Sequence, residues 1–130
     1  MEIRITTNVK DVIRTLQERG AALENIIMGP LDRGAFRIES QMKIYPEARP
    51  ESTYTRTGTY GRRWTTRPIS GGGWRGREVG NNTEYGPFVG SAELQAEIHR
   101  GTWPTDEQVI DQERAAIVAD FEDTLIRALG

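Results

Sequence analysis

The C-terminal segment, residues 105–129, carries the strongest folding signal in this chain of 130 residues. Thr105 precedes two acidic residues, and Gln108 follows three positions later, which is the pattern of a capping box at a helix N-terminus. Apolar residues then recur at helical spacing: Val109, Ile110, Ala116, Ile117, Phe121, Leu125 and Leu129. The pattern predicts an amphipathic helix of roughly 36 Å, at ~1.5 Å per residue.

The opposite face of this helix is acidic. It holds Asp111, Asp120, Glu122 and Asp123. Such a face is typical of solvated surface, and the alternative is a contact with a basic neighbour.

Most of residues 1–45 is predicted to be helical. Alternating polar and apolar residues at 2–6 indicate a short strand, with a frayed terminus as the alternative. Asn8 is expected to cap a helix that runs to Arg19 and is stopped by Gly20. One face of that helix would be apolar, formed by Val9, Val12, Ile13 and Leu16.

Residues 21–28 continue a helical pattern, but the Gly29-Pro30 pair is expected to kink or restart the helix, because proline lacks an amide proton. A helix beginning at Pro30 would end before Pro46. Its buried positions would be Leu31, Ala35, Ile38, Met42 and Tyr45.

Residues 46–58 lack any period and are predicted to form a loop or an arm. Two antiparallel strands should follow, joined by the glycines at 71–73, with Pro68 marking an edge or a bulge. A third extended segment is expected at 85–89, after a turn-rich passage that begins at Gly80. Residues 91–104 read as a long loop with room for one helical turn.

These elements predict an α+β fold in a single domain, residues 1–130. A small antiparallel sheet would occupy 59–90, flanked by N-terminal helices and the long C-terminal helix. The apolar fraction of 36% is below the usual ~45 to 50%, and 14 residues are glycine. We therefore expect part of the surface to be extended, exposed or completed by a partner.

Composition narrows the functional classes. The chain contains no cysteine, which excludes disulfides, thiolate nucleophiles and cysteine zinc sites. Since no apolar run approaches the ~20 residues of a membrane span and the start lacks a secretory h-region, we expect a soluble protein made in the cytoplasm.

Charge is segregated along the chain. Segment 54–80 holds six arginines and one glutamate, whereas segment 105–130 holds seven acidic residues and two arginines. Lys10 and Lys43 are the only lysines, which slightly favours fixed, bidentate pairing over a loose polyanion-binding surface. A basic middle and an acidic end would also attract one another between neighbouring copies.

Candidate chemistry is sparse. His99 is the only histidine, and the chain has no Gly-x-Ser-x-Gly nucleophile motif that could form a catalytic triad with it. We therefore expect His99 to be a loop residue beside Trp103. The acidic pairs on the C-terminal helix are explained by the helix dipole, so they do not indicate an acid-base or metal site. The glycines at 71–73 are followed by a predicted strand, whereas a phosphate-binding loop is followed by a helix. No catalytic, cofactor or metal site is predicted.

Two motifs carry a resemblance to a known family. The segment "RTGTYGRRW" places Arg56, Thr57, Gly58, an arginine at 62 or 63, and Trp64 on the pattern R-T-G-x-L-x-R-S-W, with Tyr60 in place of leucine. The segment "EVGNNTEYGPFV" supplies the second pattern, V-x-N-x-x-x-Y-A-x-Y-V. Its matching residues are Val79, Asn81 or Asn82, Tyr85, Phe88 and Val89, with Gly86 in place of alanine.

With this order of elements, residues 45–129 resemble the small neck or tail-completion proteins of long-tailed bacteriophages. The resemblance implies a structural virion protein, not an enzyme, located in the neck between head and tail. It also implies a ring of subunits, hexameric or dodecameric, through which DNA passes. The implied partners are a portal, adaptor or head-closure protein and a tail-tube or tail-terminator protein, with no membrane and no cofactor.

Candidate residues for the subunit interface or the DNA channel come from the two motifs and the hairpin. They are Arg56, Arg62, Arg63, Trp64, Arg67, Trp74, Arg75, Arg77, Asn82 and Tyr85. Of these, Arg56, Arg62 and Arg63 are expected to meet carboxylates of an adjacent subunit or to line a channel, and Trp64 to point to the core or to a neighbour.

Two other classes remain as alternatives. A nucleic-acid-binding module would use the Arg/Trp-rich hairpin, because arginine planes and aromatic rings stack bases and neutralise phosphates. A small hydrolase would use His99.

Overall fold

In the residues that the computed structural model describes, the chain forms a three-stranded antiparallel sheet, two long helices and three short helical turns, which confirms the α+β fold. The structure describes residues 1–8, 14, 23–48, 50, 52, 56–72 and 74–129. The predicted helix at 8–19, with its apolar face, lies almost entirely outside them. The elements in chain order are β1 (Glu2–Asn8), α1 (Leu23–Met42), α2 (Thr59–Arg62), β2 (Trp64–Gly71), β3 (Trp74–Asn81), α3 (Gly86–Gly90), a 3-10 turn (Glu97–His99) and α4 (Asp106–Leu129).

The predicted hairpin is confirmed. β2 and β3 pair antiparallel from Trp64 opposite Asn81 to Gly71 opposite Trp74. A side chain at Gly71 would collide with the indole of Trp74, so glycine lets the ring lie across the end of the hairpin. The sheet order is β1-β3-β2, and Pro68 therefore lies on an edge strand, as predicted.

The third strand comes from the N-terminus. β1 pairs antiparallel with β3, from Glu2 opposite Gly80 to Asn8 opposite Trp74, which confirms the strand predicted at 2–6. The extended segment predicted at 85–89 is wrong, since α3 forms there. Pro87 stands in its first turn, where the missing amide proton costs nothing and the fixed φ favours a helix.

α1 is one helix that includes Pro30, so the predicted restart at Gly29-Pro30 is wrong. Pro30 and Leu31 are fully buried, and Ile27 nearly so. The free energy gained from this apolar burial offsets the loss of the backbone hydrogen bond that proline cannot donate. The predicted buried positions from Leu31 to Met42 are confirmed, but the helix ends at Met42, before Tyr45.

α1 packs against the sheet and against α4. Gly34 lies at this contact, where an added Cβ would lie 3.1 Å from Ile5 Cδ1 of the sheet and 3.4 Å from Ile117 Cγ2 of α4. The main core collects Ile3, Ala35, Ile38, Met42, Tyr60, Trp64, Val79, Val89 and Val109. Within the described residues, no helix is both long and apolar enough to cross a membrane.

The capping box of α4 is present as predicted. The backbone amide of Gln108 donates to Thr105 Oγ1 at 3.3 Å, and the backbone amide of Thr105 donates to Gln108 Oε1 at 3.2 Å. On the acidic face, Asp120 accepts two hydrogen bonds from Arg33 of α1, at 2.7 and 2.9 Å. These bonds lower the pKa of Asp120, so part of the acidic face contacts a basic neighbour within the chain.

Thr105→Ala should lower the free energy of unfolding by about 1 kcal/mol, because the Gln108 amide loses its acceptor. Thr105→Ser keeps a hydroxyl and should lie close to wild type. Urea unfolding followed by circular dichroism measures both. Equal losses in the two variants would contradict a capping role for the hydroxyl.

Gly90→Ala should destabilise the fold by about 1–3 kcal/mol, because the new methyl collides with the buried hydroxyl of Tyr60. Gly72→Ala is the control, since a Cβ there meets nothing within 4 Å. Within the described residues the Tyr60 hydroxyl has no hydrogen-bond partner, so Tyr60→Phe should recover part of the Gly90→Ala loss. Thermal unfolding of the single and double variants measures the recovery, and its absence would contradict this collision.

Candidate functional site

The predicted candidates are distributed over both faces of the sheet and a pocket beside it. Alternation along β3 places Trp74 and Glu78 on the face away from α1, and Arg75 and Arg77 on the face towards it. The basic segment of the sequence therefore does not form one continuous surface.

On the outer face, Glu78 joins all three strands. Arg4 Nε of β1 donates to its Oε2 at 2.8 Å, and Arg67 Nε of β2 donates to its Oε1 at 2.7 Å. The Glu78 side chain is only 6% exposed, covered by two arginines that are 58% and 66% exposed. Arg67 and Arg4 lower the pKa of Glu78, which keeps it charged under its guanidinium partners.

On the inner face, the arginines are tied to the protein itself. Arg77 Nε lies 3.4 Å from Asp32 Oδ1 of α1, and the Arg77 guanidinium donates to Thr66 Oγ1 at 3.4 Å. The Arg75 guanidinium donates to the backbone carbonyl of Trp74 at 3.0 Å. These contacts hold the arginines against the sheet.

Trp64 points to the core. It is 5% exposed and packs edge-to-face against Tyr60, with ring centroids 5.7 Å apart. Trp64 and the half-buried Trp74 lie at opposite ends of the hairpin, and on opposite faces by strand alternation. The two rings therefore do not form a stacking platform.

Gly58 makes a bend between the loop and α2. Its φ of 77° is left-handed, and α2 follows at once. Arg62 Nη1 donates to the Thr57 carbonyl at 3.0 Å, and Arg63 is exposed. Asn82 is exposed, and its backbone N–H donates a hydrogen bond to the Arg63 carbonyl at 3.1 Å.

Arg56 lies in the wall of a surface cavity of about 510 Å³, here called the aromatic pocket. Its guanidinium carbon is 5.2 Å from the Trp103 ring centroid and 5.8 Å from that of Tyr45. Its Nη1 atom donates a hydrogen bond to the Pro46 carbonyl. The aromatic side chains lining the pocket are Tyr45, Tyr60, Tyr85, Phe88, His99 and Trp103. Burial raises the pKa of Tyr60, which keeps its hydroxyl neutral.

The described residues of segment 46–58 form no helix or strand, and several line this pocket. They therefore lie as a loop against their own chain. Around the pocket mouth, large apolar side chains are exposed: Tyr85 (45%), Phe88 (53%) and Ile98 (61%), with Leu94 (51%) nearby in sequence. Contiguous exposed apolar surface of this kind marks interaction sites.

The sequence analysis did not predict this pocket, because its lining comes from three separate stretches of the chain and the 91–104 loop has no period. The available signal was the cluster of apolar residues in 85–103, a passage otherwise rich in turns. Glu78 was also missed as a partner of Arg67, although counting back from the hairpin turn places the two residues opposite each other.

His99 lies in the pocket wall beside Trp103, as expected, with ring centroids 5.9 Å apart. Within the described residues, no three histidine, cysteine, aspartate or glutamate side chains are grouped as a metal ion requires. The arrangement provides apolar contact area and fixed positive charge, which suit non-covalent recognition.

Comparison of the chain with models of protein families, with curated proteins and with solved structures finds no match.

Glu78→Gln should destabilise the protein at neutral pH and flatten its acid pH dependence. Folding lowers the pKa of Glu78 from its ordinary value of 4.5, so its stabilisation is complete above that pH and is lost as the pH falls through the folded-state pKa. The wild type should lose stability more steeply over this acid range than the variant. Urea unfolding from neutral to acid pH measures the two slopes.

The control is Glu84→Gln, since Glu84 is exposed and makes no ion pair within the described residues. It should keep the wild-type slope. Identical slopes for Glu78→Gln and wild type would contradict the role given to the three-strand bridge.

Proposed function

We propose that this chain is a structural subunit of the neck of a long-tailed bacteriophage, where a ring of copies joins the head to the tail. The observation that carries the proposal is the apolar surface around the aromatic pocket, exposed in a chain whose core is small. A subunit that is completed by neighbours is expected to have such a surface.

The contact between the two resemblance motifs supports the proposal. Asn81 Nδ2 donates to the Tyr60 carbonyl at 2.9 Å, and Trp64 pairs with Asn81 across the hairpin. The Tyr60 and Tyr85 rings are 6.5 Å apart. The motifs thus meet as one packed unit, which gives a physical reason for them to occur together.

The proposed partners are other copies of the chain, a portal, adaptor or head-closure protein on one side, and a tail-tube or terminator protein on the other. Arg62 and Arg63 are the candidates for contacts with neighbouring carboxylates or with DNA in the channel, because both are exposed and neither makes an ion pair within the described residues. Arg67 is less suited, since Glu78 already neutralises it.

The nucleic-acid-binding alternative requires rings and arginines on one surface. The buried position of Trp64 and the division of the arginines between two faces favour the structural role. A free binding module would bind short single strands with an affinity that falls steeply with salt, because each neutralised phosphate releases counterions.

Inactivating the gene in a phage that encodes this chain should yield filled heads and free tails that do not join. Electron microscopy of the lysate measures joined particles, and immunogold labelling should place the protein at the neck. Supplying the wild-type chain should restore joining, whereas Arg62→Glu with Arg63→Glu should reduce it. Absence of the protein from purified virions would refute the proposal.

A further inference from the structure

Charges of opposite sign lie in and next to the lining of the aromatic pocket. Arg56 lines one wall, and Arg62 is tied to that wall through its 3.0 Å hydrogen bond to the Thr57 carbonyl. Glu84 and Glu97 precede Tyr85 and Ile98, which line another wall, and both glutamates are exposed. Neither makes an ion pair within the described residues.

Two further charges at the pocket offset each other. Glu47 lines it, and the exposed Arg100 follows His99. The pocket is therefore an apolar cavity with Arg56 in its lining and two glutamates next to the lining residues of the other segments. An occupant that matches it has an apolar side chain with a carboxylate on one side and a cation on the other.

The C-terminal half of α4 presents such a side chain. Ile126 is 68% exposed, and Val118 on the same face is 48% exposed. Glu122 and Asp123 lie one turn before Ile126, and Arg127 follows it. None of these three charged residues makes an ion pair within the described part of the chain.

Phe36 is equally exposed, at 69%, but its surroundings differ. Its neighbours Arg33 and Arg37 are already paired, with Asp120 at 2.7 Å and Glu113 at 3.3 Å. The charges around Phe36 are therefore satisfied within the chain, whereas those around Ile126 are not. Ile126 is the better match for the pocket on charge.

Ile126 cannot reach the pocket of its own chain. α4 begins at Asp106, close to Trp103 in the pocket wall, and Ile126 lies 20 residues further along the helix. At ~1.5 Å per residue the two are about 30 Å apart. The contact therefore needs a second copy. A head-to-tail arrangement of pocket and α4 face propagates to a third copy, whereas a reciprocal two-fold arrangement closes at the dimer.

We propose that the α4 face around Ile126 docks into the aromatic pocket of the next copy. Glu122 and Asp123 then face Arg56 and Arg62, and Arg127 faces the glutamates of the other wall. The contact between α4 and the pocket stands on this structure alone, and its head-to-tail repetition and closure into a ring rest on the proposed neck function.

Cysteine cross-linking tests the contact directly, because the natural chain contains no cysteine. Phe88→Cys combined with Ile126→Cys should form a ladder of disulfide-linked oligomers under mild oxidation. A two-fold symmetric contact would stop at the dimer. Phe88→Cys with Phe36→Cys is the matched control and should remain uncross-linked; a ladder in the control alone would overturn the proposal.

Charge reversal tests the orientation. Arg62→Glu and Glu122→Arg should each weaken self-association about tenfold or more in analytical ultracentrifugation, and the double variant should recover it. Ile126→Asp should abolish association and Phe36→Asp should not, with circular dichroism confirming that both fold. Equal effects of the two aspartate variants, or a wild-type chain that stays monomeric, would overturn the proposal.

Different results would contradict the docking contact and the neck function. A chain found at the virion neck that shows neither cross-linking nor self-association contradicts the docking contact and leaves the neck function standing. A chain that cross-links as expected but is absent from virions contradicts the neck function and leaves the contact standing.

Discussion

Packing of α1 between the sheet and α4 is the constraint on which the rest of the structure depends. At Gly34 the side chains of Ile5 and Ile117 both approach the position that a Cβ would take, so sheet, α1 and α4 meet at one point with little room for a side chain. Among the described residues, α1 and α4 pack on one side of the sheet. On the other face, Glu78 with its two arginines provides a polar surface.

Charge that is concentrated in the sequence is dispersed in the fold. Strand alternation sends Arg67 and Arg77 to opposite faces, where Glu78 and Asp32 pair with them. The acidic end is likewise partly used within the chain, since Asp120 pairs with Arg33. The charges left for recognition are those outside the strands, and the aromatic pocket gathers several of them around an apolar centre. Local sums of charge therefore overstate the field that a partner meets.

Features set by neighbouring residues could be predicted from the sequence. The capping box at Thr105 and the hairpin around the glycines at 71–73 depend on contacts close in sequence, and the structure has both. The helix restart predicted at Pro30 and the extended segment predicted at 85–89 are wrong because local propensity was outweighed, in the first case by burial and in the second by the helical preference of Pro87. The pocket could not be predicted, since its walls come from segments up to about 60 residues apart that only tertiary packing brings together.

Pro68 affects whether a strand of another molecule can pair with this sheet. It lies in β2, which is an edge strand, and proline has no amide proton to offer a strand arriving from outside. An incoming strand would lose a ladder bond at that point and meet the exposed Arg67 beside it. Addition of a strand from another copy is therefore disfavoured at this edge of the sheet, even at high protein concentration.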